Sequence, residues 1–187
     1  RDRMLGREPD DWDIATDALP RDVRSVFGED NTLPTGIKFG TVTVLSGGDS
    51  FEVITYRIDR GHSDCRRPDE VDFTSSIDEE LGRRDFTINA MAYNEKSGLI
   101  DLFGGCDDLN AGIIRCVGDP DLRFREDALR MLRAVRFASQ LGFDVDKSAI
   151  DSIRKNRDLV QRISAERVGS ELNKMLMGRC PSKMSLL

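Results

Sequence analysis

The sequence has no long apolar segment and few residues of the kinds that bind zinc. None of its apolar runs approaches the roughly 20 residues that a membrane-spanning helix needs. It has one histidine, His62, and its four cysteines show none of the paired spacings typical of zinc ligands. We therefore expect a soluble globular protein with no membrane partner and no zinc site. Unpaired cysteines are typical of a reducing compartment, either cytoplasmic or mitochondrial.

The chain also lacks an excess of positive charge. Its 28 Lys and Arg residues and 34 Asp and Glu residues give a net charge of −6. Phosphate contacts need clustered Lys and Arg, so the total charge argues against nucleic-acid binding. Basic residues are nevertheless clustered locally, and such clusters either bind phosphates or form solvated faces. The clusters are Arg66–Arg67, Arg83–Arg84 and the run Arg123, Arg125, Arg130, Arg133 and Arg136.

The first residues show none of the usual signals of a chain start. The chain begins with Arg1 and not with Met, and no capping residue or signal-peptide pattern precedes the apparent helix end at Arg1 to Gly6. We interpret the sequence as a piece of a longer chain. Its 187 residues suffice for one domain, or for one domain and part of a second.

Short β-like runs and turn signals alternate over the first two thirds of the chain. The turn residues Ser46–Asp49 predict that the strands on either side pair antiparallel, and a polar loop is predicted from Asp59 to Asp69. The remaining predicted elements are strands at Trp12–Ala15, Thr41–Leu45, Phe51–Ile58, Leu99–Phe103 and Ile113–Val117, and helices at Leu19–Phe27 and Ile77–Tyr93.

After Gly118 the pattern changes to helical spacing of apolar residues. This predicts helices at Phe124–Leu141, Lys147–Asn156 and Ala165–Met177. The change predicts two domains, an α/β head over residues 1–117 and a helical neck over residues 118–187.

Three acidic residues are candidate metal ligands. Asp11 and Asp13 lie two apart in a predicted strand, where alternate side chains share a face and can bind divalent cations together. Glu52 lies in an otherwise apolar strand, where a carboxylate is costly unless it is exposed, paired or bound to a metal. An acidic surface turn explains the first pair as well, and exposure on an edge strand explains Glu52 more simply.

Arg84, Asp85 and Asn89 form a second candidate site. On a helix, residues four apart share one face, so Asp85 and Asn89 could hold a ribose while the arginines meet a triphosphate. A surface salt-bridge cluster at a helix end is the alternative.

Asp127 and Arg130 form a third candidate site. Three apart on a helix, they would present a hydrogen-bond acceptor beside a donor. Cytosine and adenine offer an amino donor next to a ring-nitrogen acceptor, which matches this pair, whereas uracil and guanine offer the reverse. An ordinary helix ion pair is the alternative reading.

Six segments, and the order in which they occur, make the chain resemble the class II tRNA nucleotidyltransferase and bacterial poly(A) polymerase family. The similarity extends from Arg1 to about Gly178. The segments are Arg1–Asp2 with Leu5–Arg7, Asp11–Thr16, Arg66–Pro68, Arg84–Ala92, Asp101–Gly105 and Glu126–Ala134.

The resemblance implies an α+β fold: a polymerase-β-like nucleotidyltransferase head with a mixed or antiparallel sheet and helices, followed by an all-helical neck. It implies that CTP and ATP are used to add C, C and A to a tRNA 3′ end without a nucleic-acid template. Two Mg²⁺ ions would be bound by Asp11 and Asp13, with Glu52 as a further catalytic carboxylate. The residues expected to bind the nucleotide are Arg1, Arg84, Asp85, Asn89, Asp127, Arg130, Arg133 and Arg136.

Further segments resemble family features with other roles. Asp59–Asp69 is similar to the flexible loop and Asp101–Gly105 to a hinge, while Glu166 and Glu171 lie in a motif that supports the base-reading helix. The family's paired glycines, which bind the triphosphate, would precede Arg1. A poly(A) polymerase, a CC-adding or A-adding specialist, and a noncatalytic RNA-binding module are the alternatives, and the sequence does not indicate an oligomeric state.

Overall fold

The computed structural model describes residues 1–9, 12–62, 65 and 68–186 and divides the chain into two compact units. The first unit comprises Arg1–Arg60 and Glu70–Arg83, and the second comprises Gly61–Asp69 and Arg84–Leu187. The α+β class predicted from sequence is confirmed. The domain boundary predicted at residue 117 lies inside the second unit and stays a prediction.

The first unit contains a four-stranded mixed sheet, two helices and a separate hairpin. In chain order the helices and strands of this unit are β1 (Asp13–Thr16), α1 (Pro20–Phe27), β2 (Thr32–Gly36), β3 (Thr41–Ser46), β4 (Asp49–Thr55), β5 (Arg57–Arg60), β6 (Glu70–Phe73) and α2 (Ile77–Gly82). The strand order is β1-β4-β3-β2, with β1 parallel to β4 and the other pairs antiparallel.

The predicted hairpin between β3 and β4 is confirmed. Gly47 and Gly48 have φ values of 63° and 92°, the left-handed conformation that a two-residue hairpin turn requires and that glycine adopts without strain. One face of the sheet packs against α1, where Val23 meets Val42, Val44 and Val53. The residues that alternate with these valines project from the other face.

The predicted strand Phe51–Ile58 is instead two strands. β4 ends at Thr55, and β5 pairs antiparallel with β6 in a separate hairpin, so the loop predicted from Asp59 begins two residues too early. Each strand of the β5–β6 hairpin has only four residues and β5 has a single apolar one, so the alternation of β6 alone was too short to predict the pair.

The predicted helix Ile77–Tyr93 is wrong beyond Gly82. A 3₁₀ turn at Thr87–Asn89 follows, and then a hairpin of β7 (Met91–Asn94) and β8 (Gly98–Asp101). Phe86, Ile88 and Ala90 are fully buried. Asp85 and Thr87 are buried as well, so the segment is enclosed on all sides and has no solvent-facing side of the kind a surface helix has. Tertiary packing here outweighs local helix propensity.

The second unit continues with helices and one short parallel strand pair. Its further elements are α3 (Gly105–Ala111), β9 (Ile113–Ile114), α4 (Pro120–Glu126), α5 (Leu129–Leu141), β10 (Asp144–Val145), α6 (Lys147–Asn156) and α7 (Ala165–Leu176). Leu129, Leu132 and Val135 of α5 pack against Met175 of α7. No helix among residues 1–9, 12–62, 65 and 68–186 is long and apolar enough to span a membrane.

The predicted helix Phe124–Leu141 is broken at Asp127. Its φ and ψ of −142° and 107° are extended, so α4 ends and α5 starts anew. The Asp127 carboxylate accepts a hydrogen bond from the backbone N–H of Leu129 at 3.0 Å, which is the role of an N-terminal helix cap.

Candidate active site

Two acidic residues lie side by side on the open face of the first unit's sheet. Asp13 of β1 and Glu52 of β4 are register partners in the parallel pair. Both are exposed, and Glu52 precedes Val53, which packs against α1 from the opposite face of the sheet. Adjacent strands lie about 4.8 Å apart, so one cation can reach both carboxylates.

Asp11 lies outside the described residues, and its place beside Asp13 stays a prediction. No group of three or more His, Cys, Asp and Glu side chains with metal-binding geometry occurs in the described part of the chain. Exposed carboxylate oxygens suit a hard cation such as Mg²⁺, which retains water and phosphate ligands and needs only one or two protein carboxylates. Asp13 and Glu52 therefore fit a magnesium site of this kind.

Asp85 is the centre of a buried hydrogen-bond cluster in the second unit. One carboxylate oxygen accepts a hydrogen bond from Nε of Arg133 at 2.7 Å and lies 2.6 Å from Nη2 in the same ion pair. The other accepts from Nδ2 of Asn89 at 3.1 Å and from the backbone N–H of Phe86 at 2.8 Å. Burial alone would raise the pKa of Asp85, but the Arg133 charge and these hydrogen bonds hold it below its usual value.

Asp85 and Asn89 therefore meet, as predicted, although they do not share a regular helix. Three hydrogen bonds and the ion pair with Arg133 already occupy the Asp85 carboxylate. Its geometry therefore favours a role in orienting Arg133 and Asn89 over direct contact with a ribose. The nucleotide contacts predicted for all three residues stay predictions. Arg84, just before Asp85, is half-buried.

Asp127 and Arg130 were predicted to lie on one face of a single helix. They do not, because Asp127 lies between α4 and α5. Asp127 is paired with Arg167 of α7, whose Nη2 lies 3.0 Å from Oδ2. Arg130 donates to the carbonyl of Arg123 at 3.2 Å and forms an ion pair with Glu126. The Asp127 carboxylate, an acceptor, and the Arg130 guanidinium, a donor, still lie at the same end of α5. Base reading by this pair stays a prediction, although the two residues do not share a helix.

Arg167 is the residue near this site that sequence reasoning missed. It lies 40 residues after Asp127, and no local spacing connects the two. Glu166 and Glu171 were named in the same segment. Glu171 is buried and pairs with Arg136 at 3.3 Å, while Glu166 is exposed.

The other two predicted nucleotide-binding arginines are engaged within the protein. Arg136 is buried, and its guanidinium lies over the Phe137 ring at 4.2 Å in addition to its pairing with Glu171. Arg1 forms an ion pair with Asp2, with Nη2 at 2.6 Å from Oδ2. These contacts favour structural roles, and nucleotide binding by Arg1 and Arg136 stays a prediction.

Exposed carboxylates on a small mixed sheet agree with the nucleotidyltransferase head that the sequence resemblance implies. Residues 1–115 match the family model of the poly A polymerase head domain. Residues 142–187 match a second model, described as the probable RNA and SrmB- binding site of polymerase A. The chain belongs to the poly A polymerase head-domain family, which confirms the resemblance seen in the sequence.

Curated relatives are named CCA-adding enzymes. The chain is 49% identical to the one from Lactobacillus helveticus over 178 residues, which are 95% of this chain and 44% of the relative. It is 47% identical to the one from Ligilactobacillus salivarius over 183 residues, with coverage of 98% and 45%. The chain thus spans less than half the length of these relatives.

Solved structures show the same fold. The Bacillus stearothermophilus CCA-adding enzyme in complex with CTP superposes with a TM-score of 0.89 at 44% identity, covering 100% of this chain and 45% of that one. The Thermotoga maritima CCA-adding enzyme complexed with tRNA superposes with a TM-score of 0.73 at 30% identity, with coverage of 97% and 42%.

Proposed function

We propose that this chain is part of an enzyme that adds C, C and A to the 3′ end of tRNA from CTP and ATP. The observation that carries the proposal is the exposed Asp13–Glu52 pair on the open sheet face, in a fold shared with CCA-adding enzymes that bind CTP, ATP and tRNA. The pair's exposure leaves room for a triphosphate and an RNA end on the same face.

Asp13 and Glu52, with Asp11, would hold two Mg²⁺ ions. The bound ions would lower the pKa of the attacking 3′-hydroxyl and neutralise the charge of the leaving pyrophosphate. The strand pairing fixes the spacing of Asp13 and Glu52 before substrate arrives, so these carboxylates need little reorganisation. The RNA 3′-oxygen would attack the α-phosphate in line, and pyrophosphate would leave.

Asp127 and Arg130 would select the base. The Asp127 carboxylate accepts from the amino group of cytosine or adenine, while Arg130 donates to the adjacent ring nitrogen. The ion pair with Arg167 and the cap contact with Leu129 hold Asp127 in place. Uracil and guanine would set acceptor against acceptor and donor against donor, so each contact would be lost.

Replacement of Asp127 by alanine is expected to relax nucleotide choice. UTP and GTP incorporation should rise relative to CTP and ATP, by about ten-fold or more, because a reversed hydrogen-bond pair costs a few kcal/mol. Competition assays with paired nucleotides measure this ratio. Because alanine also removes the helix cap, Asp127→Ser serves as a second variant that keeps a capping oxygen but is too short to reach a base.

The matched control is Asp107→Asn, which alters an exposed carboxylate of α3. It should leave nucleotide choice unchanged. If both Asp127 variants kept wild-type choice, the base-reading role would be ruled out.

The proposed activity is tested by incorporation of each of the four nucleotides by the full-length protein with Mg²⁺. The substrates are tRNA transcripts that end before C, after CC and after CCA. Addition of C, C and A followed by a stop supports the proposal. Long runs of A on any RNA would identify a poly(A) polymerase, addition of only C or only A a specialist, and no incorporation a noncatalytic RNA-binding module.

A further inference from the structure

The second unit contains a pocket of about 420 Å³ that the proposed catalytic chemistry does not use. Its walls come from the end of α4, the end of α6, the 3₁₀ turn Arg157–Arg162, and His62 and Cys65. Arg125, Lys155 and Arg162 line it, with Asp158 as its acidic residue. Basic residues therefore outnumber acidic ones in the walls of this pocket, although the chain as a whole has a negative net charge.

The charge of Lys155 is already compensated. It forms an ion pair with Asp121, and this hydrogen bond, with others from Ser152 and Asn156, lowers the pKa of Asp121 to about 2. The uncompensated charge in the pocket thus comes from the two arginines.

Arg125 and Arg162 have only weak polar contacts. Arg125 donates to Oδ1 of Asn156 at 3.4 Å, and Arg162 donates to Sγ of Cys65 at 3.6 Å. Within residues 1–9, 12–62, 65 and 68–186, neither arginine has a carboxylate partner. Two exposed guanidinium groups beside one cavity repel each other and favour an anion between them, and their planar donor edges match a phosphate group.

The pocket adjoins the base-reading end of α5. The Cys65 carbonyl accepts a hydrogen bond from the backbone N–H of Ala128 at 3.1 Å, and Arg125 lies two residues before Asp127. The RNA 3′ end must meet the α-phosphate of the nucleotide whose base contacts Asp127, so the backbone of the strand would pass within reach of Arg125.

We propose that Arg125 and Arg162 bind a phosphodiester group of the RNA strand that is being extended. This inference rests on the proposed function and adds a backbone-binding site to it. The shared chemistry is phosphate, and the phosphates of free CTP or ATP are the other source. An RNA strand is favoured because Lys155 and Arg162 lie in the range matched by the family model described as a probable RNA-binding site, whereas Arg125 and His62 lie outside that range.

The test compares two double variants of the full-length protein that lose the same charge. Arg125→Gln with Arg162→Gln removes the pocket charge. Arg3→Gln with Arg21→Gln removes two exposed arginines of the first unit, each beside an exposed carboxylate. Fluorescence anisotropy over a series of salt concentrations measures the affinity for a tRNA transcript that lacks CCA, and calorimetry measures the affinity for CTP and ATP. Circular dichroism confirms that both variants fold.

The pocket variant should bind the transcript about ten-fold more weakly than the control variant at low salt. The slope of log affinity against log salt is negative, and its magnitude should decrease by about 0.7 to 0.9, because the two arginines share one phosphate and each phosphate contact contributes about that much. CTP and ATP affinities should be equal in the two variants. Equal RNA affinities and slopes would overturn the proposal, and a loss of CTP or ATP affinity alone would assign the pocket to the nucleotide and overturn the RNA assignment.

The wild-type incorporation assay separates the two proposals. If the wild-type protein adds C, C and A but both variants bind RNA equally, only the pocket assignment fails. If the wild-type protein incorporates no nucleotide, the proposed function fails, while the difference between the variants in RNA binding still decides whether the pocket binds RNA.

Discussion

Replacement of Asp13 by asparagine is expected to lower the rate of nucleotide incorporation about a thousand-fold. Asparagine keeps the shape of the side chain but removes the negative charge that would hold a cation beside Glu52. The loss of a bound cation removes several kcal/mol of transition-state stabilisation, and each 1.36 kcal/mol changes the rate ten-fold. Single-turnover incorporation with saturating CTP measures the effect. The same result is expected for Asp11→Asn from the sequence pattern alone.

The stability of the Asp13→Asn variant should be nearly that of the wild type. Asp13 is exposed, and surface substitutions usually change the free energy of unfolding by less than about 0.5 kcal/mol. The matched control is Asp49→Asn, which alters an exposed carboxylate at the start of β4, beside the hairpin turn. Its incorporation rate should be that of the wild type. An Asp13→Asn protein with near-normal activity would remove Asp13 from the proposed metal site.

Replacement of Asp85 by asparagine is expected to lower the free energy of unfolding by about 3 kcal/mol. The change breaks a buried ion pair and leaves the Arg133 guanidinium without its partner, which typically costs about 3–5 kcal/mol. The lower end applies because the Arg133 side chain is 32% exposed, so water partly compensates its charge. Urea denaturation followed by circular dichroism measures the difference.

The control for this variant is Asp151→Asn, which removes a carboxylate paired with Arg154 at 3.6 Å on the surface of the same unit. Exposed ion pairs contribute about 0–1 kcal/mol, so this change should have little effect. Equal losses in the two variants would show that the Asp85–Arg133 pair does not stabilise the fold.

The contribution of Asp85 to the free energy of unfolding should be lost as the pH is lowered. The folded pKa of Asp85 lies below the usual value of 3.8, so its carboxylate contributes stability above that pH. As the pH falls through the folded pKa, protonation removes the contribution. The difference in unfolding free energy between wild type and Asp85→Asn should therefore stay constant near neutral pH and shrink below pH 3.8.

Several local features of the fold were predictable from the sequence. The turn of the β3–β4 hairpin depends on Gly47 and Gly48, and β-branched residues alternate before it, so only near neighbours in the chain decide its geometry. Helix α1 begins at Pro20 and ends before Gly28, as its sequence predicts. The ordered motifs also identified the family, because their combination is more specific than any one of them.

The errors arose where tertiary contacts outweighed local propensity. The helix predicted from Ile77 continued through Phe86, Ile88 and Ala90, but these residues are fully buried in the second unit, in a segment with only a 3₁₀ turn at Thr87–Asn89. The break at Asp127 was missed because an extended cap residue between two helices leaves the apolar spacing almost unchanged. The β5–β6 hairpin was missed because each of its strands has only four residues and β5 has a single apolar one.

By itself, the sequence determined the α+β class, the family and the candidate acidic, ribose-binding and base-reading residues. The class and the family followed from the resemblance of its ordered motifs to a known family, whereas spacing and side-chain chemistry over a few neighbouring residues indicated the candidate sites, whose roles stay predictions. The tertiary structure alone decided which groups pair: Asp13 with Glu52 across two strands, Asp85 with Arg133, and Asp127 with Arg167. These partners are about 40 residues apart in sequence, so the path of the folded chain brings them together, and no local periodicity encodes that path.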